Sequence, residues 1–300
     1  MGPSIRATTY SYSVPLFVNW PSNLPPLIEL NQPTVAQDCG DGAPGCVKAT
    51  LNLMQKQFSP LAQSCDHFAV FSLAYLRTTR TYEWSRDQAG YYQNVPWMNY
   101  YDAVFADFYF YALKSNHTGN PNVSAAWQIA FSATANKSET GSGDLLLGMN
   151  AHINRDLAFT LYTIGLNNPD GTSHKPDHDK VNQFLNAEVE SLLYEEAARF
   201  DPGINNVVTP MGVGYTALFQ TLELWRQQAW QNAELLAAAK DQATFSLVSH
   251  QIEATAAATA RALEAANLAT PATTTARDAY CAANWSNHAP MPYPWGTPST

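Results

Sequence analysis

Gly148-Met149-Asn150-Ala151-His152-Ile153-Asn154-Arg155-Asp156-Leu157 lies inside an apolar run that begins at Leu145 and continues past Leu161. The run reads as a buried helix, yet it carries a histidine, an arginine, an aspartate and two asparagines. Burying such groups is costly unless they are paired, hydrogen-bonded or bound to metal. On a helical wheel of about 100° per residue, His152 and Asp156 stand about 40° apart on one face. Asn150 and Asn154 form a second close pair on a different side, near Met149, Ile153 and Leu157. One compact site cannot use both pairs. Imidazole plus carboxylate is a metal or acid/base pair and two amides are not, so function is expected at His152 and Asp156. The asparagine pair is then expected to cap or brace a neighbouring helix or loop.

Outward from this segment the same helical periodicity recurs. A helical pattern runs from Val35 to about Phe58, a second helix begins near Pro60, and a third spans roughly Val95 to Leu113 with an aromatic on nearly every turn. Further helices are expected from Ser124 to about Ala135, from Pro176 to about Phe200, from Thr216 to Ala239, and along the Ala-rich stretch Asp241 to Leu268, which reads as a surface helix. The central helix should end before the turn signal Asn167-Asn168-Pro169-Asp170-Gly171. Strand alternation is scarce and no solenoid-length repeat appears. The expectation is all-α: a single-domain bundle of seven to nine helices over residues 34–268. A Pro-rich extended arm (1–33) precedes it, and a Pro/Thr-rich irregular tail (269–300) follows.

Composition narrows the function classes. Charged residues make up 14 % of the 300-residue chain and the formal net charge is -9, with no basic run, which argues against a nucleic-acid partner. No stretch of about 20 apolar residues could span a membrane. Met1-Gly2-Pro3-Ser4 does not begin a signal peptide. Cys39 and Cys46 flank the turn-rich Gly40-Asp41-Gly42-Ala43-Pro44-Gly45, a loop that a disulfide could close, which would leave Cys65 and Cys281 to tie an early helix to the tail. Three pairings are open, as are free thiols in a cytoplasmic protein; a zinc site at Cys39 and Cys46 fits the spacing less well. Together with the sequons at Asn116, Asn122, Asn136 and Asn284, the cysteines favour a secreted protein, with a cytoplasmic one as the alternative.

Several blocks carry a resemblance. Cys65-Asp66-His67-Phe68 through Tyr75-Leu76-Arg77-Thr78-Thr79, Asp102-Ala103-Val104-Phe105-Ala106-Asp107-Phe108-Tyr109, the Met149–Leu157 core and Asp177-His178-Asp179-Lys180-Val181-Asn182 are similar to domain-of-unknown-function family 5995. Trp225-Arg226-Gln227-Gln228-Ala229-Trp230 resembles a later Arg-x-x-Ala-Trp helix of that family. The resemblance spans roughly Cys65 to Leu236, and it implies a helical domain without an established chemistry.

A catalytic metal usually takes three or more protein ligands. Beside His152 and Asp156, the candidates on other helices are Asp66 with His67, Asp102, Asp177 and His178. Arg155 is expected to hold a substrate anion or to pair with Asp102. Asn150, Asn154, Asn182 and Tyr109 are candidate substrate contacts. The first reading is a hydrolase or lyase that uses zinc, iron or manganese on a small molecule, hydrophobic or ester-containing. The second is a metal-free cyclase or isomerase in which His152 and Asp156 form an acid/base dyad in an aromatic pocket. The third is a non-catalytic binding or structural protein. No phosphate loop, dinucleotide fingerprint or Gly-x-Ser-x-Gly elbow is present, so no nucleotide cofactor is expected. His117 and His174 read as solvated loop residues; His250 and His288 receive no role.

Overall fold

A computed structural model describes residues 39–120, 122–209, 211–287 and 293. The chain is all-α, with helices α1 (Pro44–Ser64), α2 (Ala69–Arg86), α3 (Val95–Thr118), α4 (Ala125–Asn136), α5 (Gly141–Met149), α6 (Leu157–Ile164), α7 (Lys175–Arg199), α8 (Tyr215–Ala238), α9 (Gln242–Ala266) and α10 (Pro271–Asn284). A π-helical segment, Asn150–Asp156, joins α5 to α6 in one continuous rod, so the ten α-helices described make nine rods. The sheet described is a two-stranded antiparallel pair, β1 (Val208–Thr209) and β2 (Gly212–Val213), with Val208 opposite Val213.

Local chemistry sets many of the boundaries. Asn94, Ser124, Thr140, Asp241 and Thr270 each accept a backbone N–H of the first turn that follows, and α3 and α10 carry proline in that first turn. The expected break at Pro60 does not occur. The buried face Met54, Phe58, Leu61, Ala62 continues across it, and α1 ends instead at Cys65, which adopts the left-handed conformation at φ 52°. Packing of that face outweighs the one hydrogen bond that proline forfeits.

Two further readings change. The stretch after Thr270, read as irregular, contains α10, which is capped at Thr270, bonded to α2's approach through Cys65–Cys281 and anchored by buried Arg277 on Asp144 at 2.5 Å. The Ala-rich α9 is not a surface helix on all sides: Ile252, Glu253, Ala256, Ala260 and Leu263 are buried, and the small alanines let it lie close against the π-segment. The second disulfide joins Cys39 to Cys46, so the four cysteines adopt one of the three pairings the sequence left open. The expected arm and His288 lie outside the described residues.

The rod α5–π–α6 runs through the middle of the fold, with α2, α3, α4, α8 and α9 packed around it. Gly148 allows this. A Cβ there would stand 2.4 Å from the Phe71 ring carbon Cγ, so only glycine lets α2 approach this closely.

Candidate active site

The π-segment widens the helical turn, because its hydrogen bonds reach one residue further than in an α-helix. Residues four apart then stand more nearly above one another, and both polar pairs of the motif are in contact. Asn154 donates to Asn150 Oδ1 at 3.1 Å, and Asn150 donates to the Ala256 carbonyl at 2.9 Å, so the amide pair ties the rod to α9. On the other side, His152 Nδ1 lies 3.2 Å from Asp156 Oδ2.

Asp156 is fully committed. Its Oδ2 also accepts the Trp127 indole N–H at 2.8 Å, and its Oδ1 accepts Arg155 Nη1 at 2.7 Å. Arg155 in turn donates through Nε and Nη2 to Glu253 Oε1 at 2.7 and 2.5 Å and lies over the Phe159 ring. Arg155 is buried against two carboxylates, Asp156 and Glu253 rather than Asp102, and it does not line the cavity beside His152.

Aromatic rings enclose His152. Phe105 of α3 stacks on it with centroids 3.6 Å apart and planes 7° from parallel, and Tyr75 of α2 meets it edge-on at 4.4 Å. Tyr109, expected as a substrate contact, sits further off at 6.2 Å and donates its hydroxyl to Ser72 at 3.3 Å. Burial lowers the His152 pKa, with the Asp156 hydrogen bond opposing it, so the ring is neutral at pH 7. A neutral imidazole beside a carboxylate donates from the nitrogen that faces it. The hydrogen-bond network thus assigns the proton to Nδ1 and the lone pair to Nε2.

His152 lines a cavity of about 100 Å³ whose walls are largely apolar, among them Phe71, Tyr75, Phe105, Ile153, Phe184 and Leu222. Thr78, Asp102, Phe105 and Ile153 keep partial exposure, so the cavity opens to solvent. Four polar atoms of its lining residues are buried with no hydrogen-bond partner among the described residues: His152 Nε2, Asp102 Oδ2, Tyr75 Oη and Thr79 Oγ1. Unpaired buried polar atoms are uncommon, and four around one cavity leave that many hydrogen bonds open to an occupant. Burial pushes the Asp102 carboxyl up to about 8, with Arg86 opposing, so it carries a proton at neutral pH. The Tyr75 phenol is raised well above its ordinary value by the same cause and also stays protonated.

The remaining metal-ligand candidates do not join this site. Asp66 Oδ1 accepts the Phe68 N–H at 2.9 Å, at the entry to α2. Asp177 is clamped by the backbone N–H groups of Gln93 and Asn94, at 2.7 Å each. His178 meets the Tyr101 hydroxyl at 3.1 Å, and its carbonyl accepts from Arg226. Asn182 accepts from Arg226 Nε at 2.8 Å. His67 pairs with Asp278 at 3.0 Å. Among the described residues no group of three or more His, Cys, Asp or Glu side chains is arranged to hold a metal ion. The candidate ligands thus do not fit a divalent metal, because each carboxylate is consumed locally or stands alone. His174, read as solvated, is buried and stacks on Trp97 at 4.3 Å.

Three residues of the cavity, Tyr75, Thr79 and Arg226, were not singled out by sequence as site residues. Tyr75 and Thr79 had a usable signal: a phenol and a hydroxyl four apart on an otherwise apolar helical face.

A family model described as a family of unknown function, DUF5995, matches residues 47–266. No curated protein and no solved structure matches the chain.

Proposed function

The chain belongs to the DUF5995 family, and from its cavity we propose that it is an enzyme that moves a proton on a small hydrophobic molecule, with His152 as general base. The observation that carries this reading is the bare Nε2 of a neutral, carboxylate-oriented histidine lining an apolar cavity that also holds a protonated carboxyl. His152 Nε2 accepts a proton from a C–H next to a carbonyl of the bound molecule. Asp156 holds the ring orientation and stabilises the imidazolium that forms. Asp102, carrying its proton, donates to the carbonyl oxygen as negative charge develops there. Where the carbonyl compound is β,γ-unsaturated, return of the proton from His152 to the γ carbon of the dienol, with Asp102 recovering its own proton, shifts the double bond into conjugation and regenerates both residues. The metal-dependent hydrolase reading is not carried forward, because Asp156 is already bonded to Trp127, Arg155 and His152. The two disulfides support an oxidising compartment such as the extracellular space.

The test is hydrogen–deuterium exchange into cyclic and aryl ketones in heavy water, followed by NMR, with wild type and His152→Gln. Exchange catalysed by wild type and lost in the variant is expected. A ketone that shifts the resonances of cavity residues, yet exchanges equally fast with both proteins, would overturn the base assignment. Failure of every ketone to bind would count against the cavity as a substrate site.

A further inference from the structure

Among the described residues four arginines are almost fully buried, and three have carboxylate partners. Arg77 meets Glu188 and Glu195, Arg155 meets Asp156 and Glu253, and Arg277 meets Asp144. The fourth, Arg226 of α8, is 5 % exposed and lines the cavity. Among the described residues it has no carboxylate partner. Its guanidinium meets Asn182 Oδ1 at 2.8 Å, the His178 carbonyl at 2.5 Å, His178 Nδ1 at 3.4 Å and the Tyr101 hydroxyl, all of them uncharged. His178, held neutral by burial and then by Arg226 itself, adds no second positive charge and, as an imidazole, cannot act as a counter-ion. Asp102, on the same cavity, takes its electrostatic influence from Arg86 and Glu83 instead.

A buried cation without a counter-ion is costly, and of the four buried arginines among the described residues this one alone stands without a carboxylate, beside an apolar cavity. We propose that the occupant of the cavity is a small apolar carboxylic acid whose carboxylate pairs with Arg226 while its apolar body lies against the aromatic wall. The proposal rests on the cavity's being the substrate site, and it names the substrate class. Asn182 and the His178 carbonyl hold Nε and Nη2 in place, which orients the guanidinium plane before the acid arrives. The cavity, of about 100 Å³, suits a body of about one ring, since an engineered apolar cavity of about 150 Å³ is known to hold benzene.

The test is a calorimetric or NMR titration of the full chain with 3-phenylpropanoate and with its neutral isostere 3-phenylpropanamide. Wild type is expected to bind the acid about tenfold or more tighter than the amide. Arg226→Gln should abolish that preference while leaving amide affinity within about twofold, and Arg226→Lys should keep part of it. Phenyl phosphate, run beside them, separates a carboxylate site from a general anion site: affinity above that of the acid would overturn the carboxylate assignment. Equal affinity for acid and amide in wild type would overturn the Arg226 proposal and leave the cavity reading standing. Failure of both compounds to bind would sink the cavity reading itself. Because the acid-to-amide ratio is read in wild type, the test survives a variant that does not fold.

Discussion

The imidazole of His152 lies flat against the ring of Phe105, 3.6 Å between centroids, and this contact from another helix covers one face of the base. Phe105→Ala should therefore admit water and raise the His152 pKa toward its ordinary value of about 6.5. An NMR titration of the His152 ring carbons reads the shift directly. An unchanged pKa would show that the stack does not set the protonation state.

Burial lowers the pKa of four histidines, His117, His152, His174 and His178. The unfolded chain then binds more protons than the folded one wherever the pH is below about 6.5 and above the lowered values, so stability falls as pH drops through that window. His178 is lowered well below its ordinary value, by burial first and then by the charges of Arg226 and Lys175. His178→Gln should flatten the acid limb of a urea-unfolding series between about pH 6.5 and 5. A slope identical to wild type would refute the linkage.

Asp102 behaves in the opposite sense. Its folded-state pKa, about 8, lies above the unfolded value, so its contribution is fully present at low pH and is lost progressively up to about pH 8. Asp102→Asn removes that loss. The variant should gain on wild type as pH rises from 5 to 8, by about 1–3 kcal/mol at pH 8, while losing the proposed proton donation. A gain independent of pH would mean that Asp102 is ionised throughout.

Arg155 sits between Asp156 and Glu253 with almost no solvent exposure. Arg155→Met leaves two buried carboxylates without a cation and should cost about 3–5 kcal/mol in equilibrium unfolding. Arg155→Met combined with Glu253→Met should recover part of that loss, since removing both partners is cheaper than stranding one. No recovery in the double variant would show that packing, not charge, dominates at this position.

Gly148 lets α2 lie on the central rod. Gly148→Ala forces a carbon within 2.4 Å of the Phe71 ring and should destabilise by about 1–3 kcal/mol. Phe71→Leu in the same chain should offset part of it. Thermal unfolding of the two single variants and the double variant gives the coupling, and strict additivity would contradict the contact.

Helix positions were legible in the sequence because apolar spacing, caps and turn signals act over a few residues. The expected starts near Val95, Ser124, Pro176, Thr216 and Asp241 fall within about one residue of α3, α4, α7, α8 and α9. Pro60 misled because the packed face of α1 outweighs a local preference, and the tail misled because α10 depends on a disulfide and a buried Arg277–Asp144 pair from distant parts of the chain. The His152–Asp156 pair was legible since four residues of one helix place them together. The scatter of Asp66, Asp177 and His178 was not, because each is claimed by a backbone or side-chain group remote in sequence.

What the sequence determined by itself is an all-α chain with a polar motif buried in its central helix, since propensity, periodicity and the four-residue spacing are short-range properties. What the motif faces was set by packing between distant segments. Phe105, Tyr75 and Trp127 come from three other helices to enclose the imidazole and its carboxylate, and Arg226 arrives from a fourth with no carboxylate partner among the described residues. Desolvation and uncompensated charge depend on everything within a few ångströms, and that neighbourhood is assembled by packing between segments far apart in the chain.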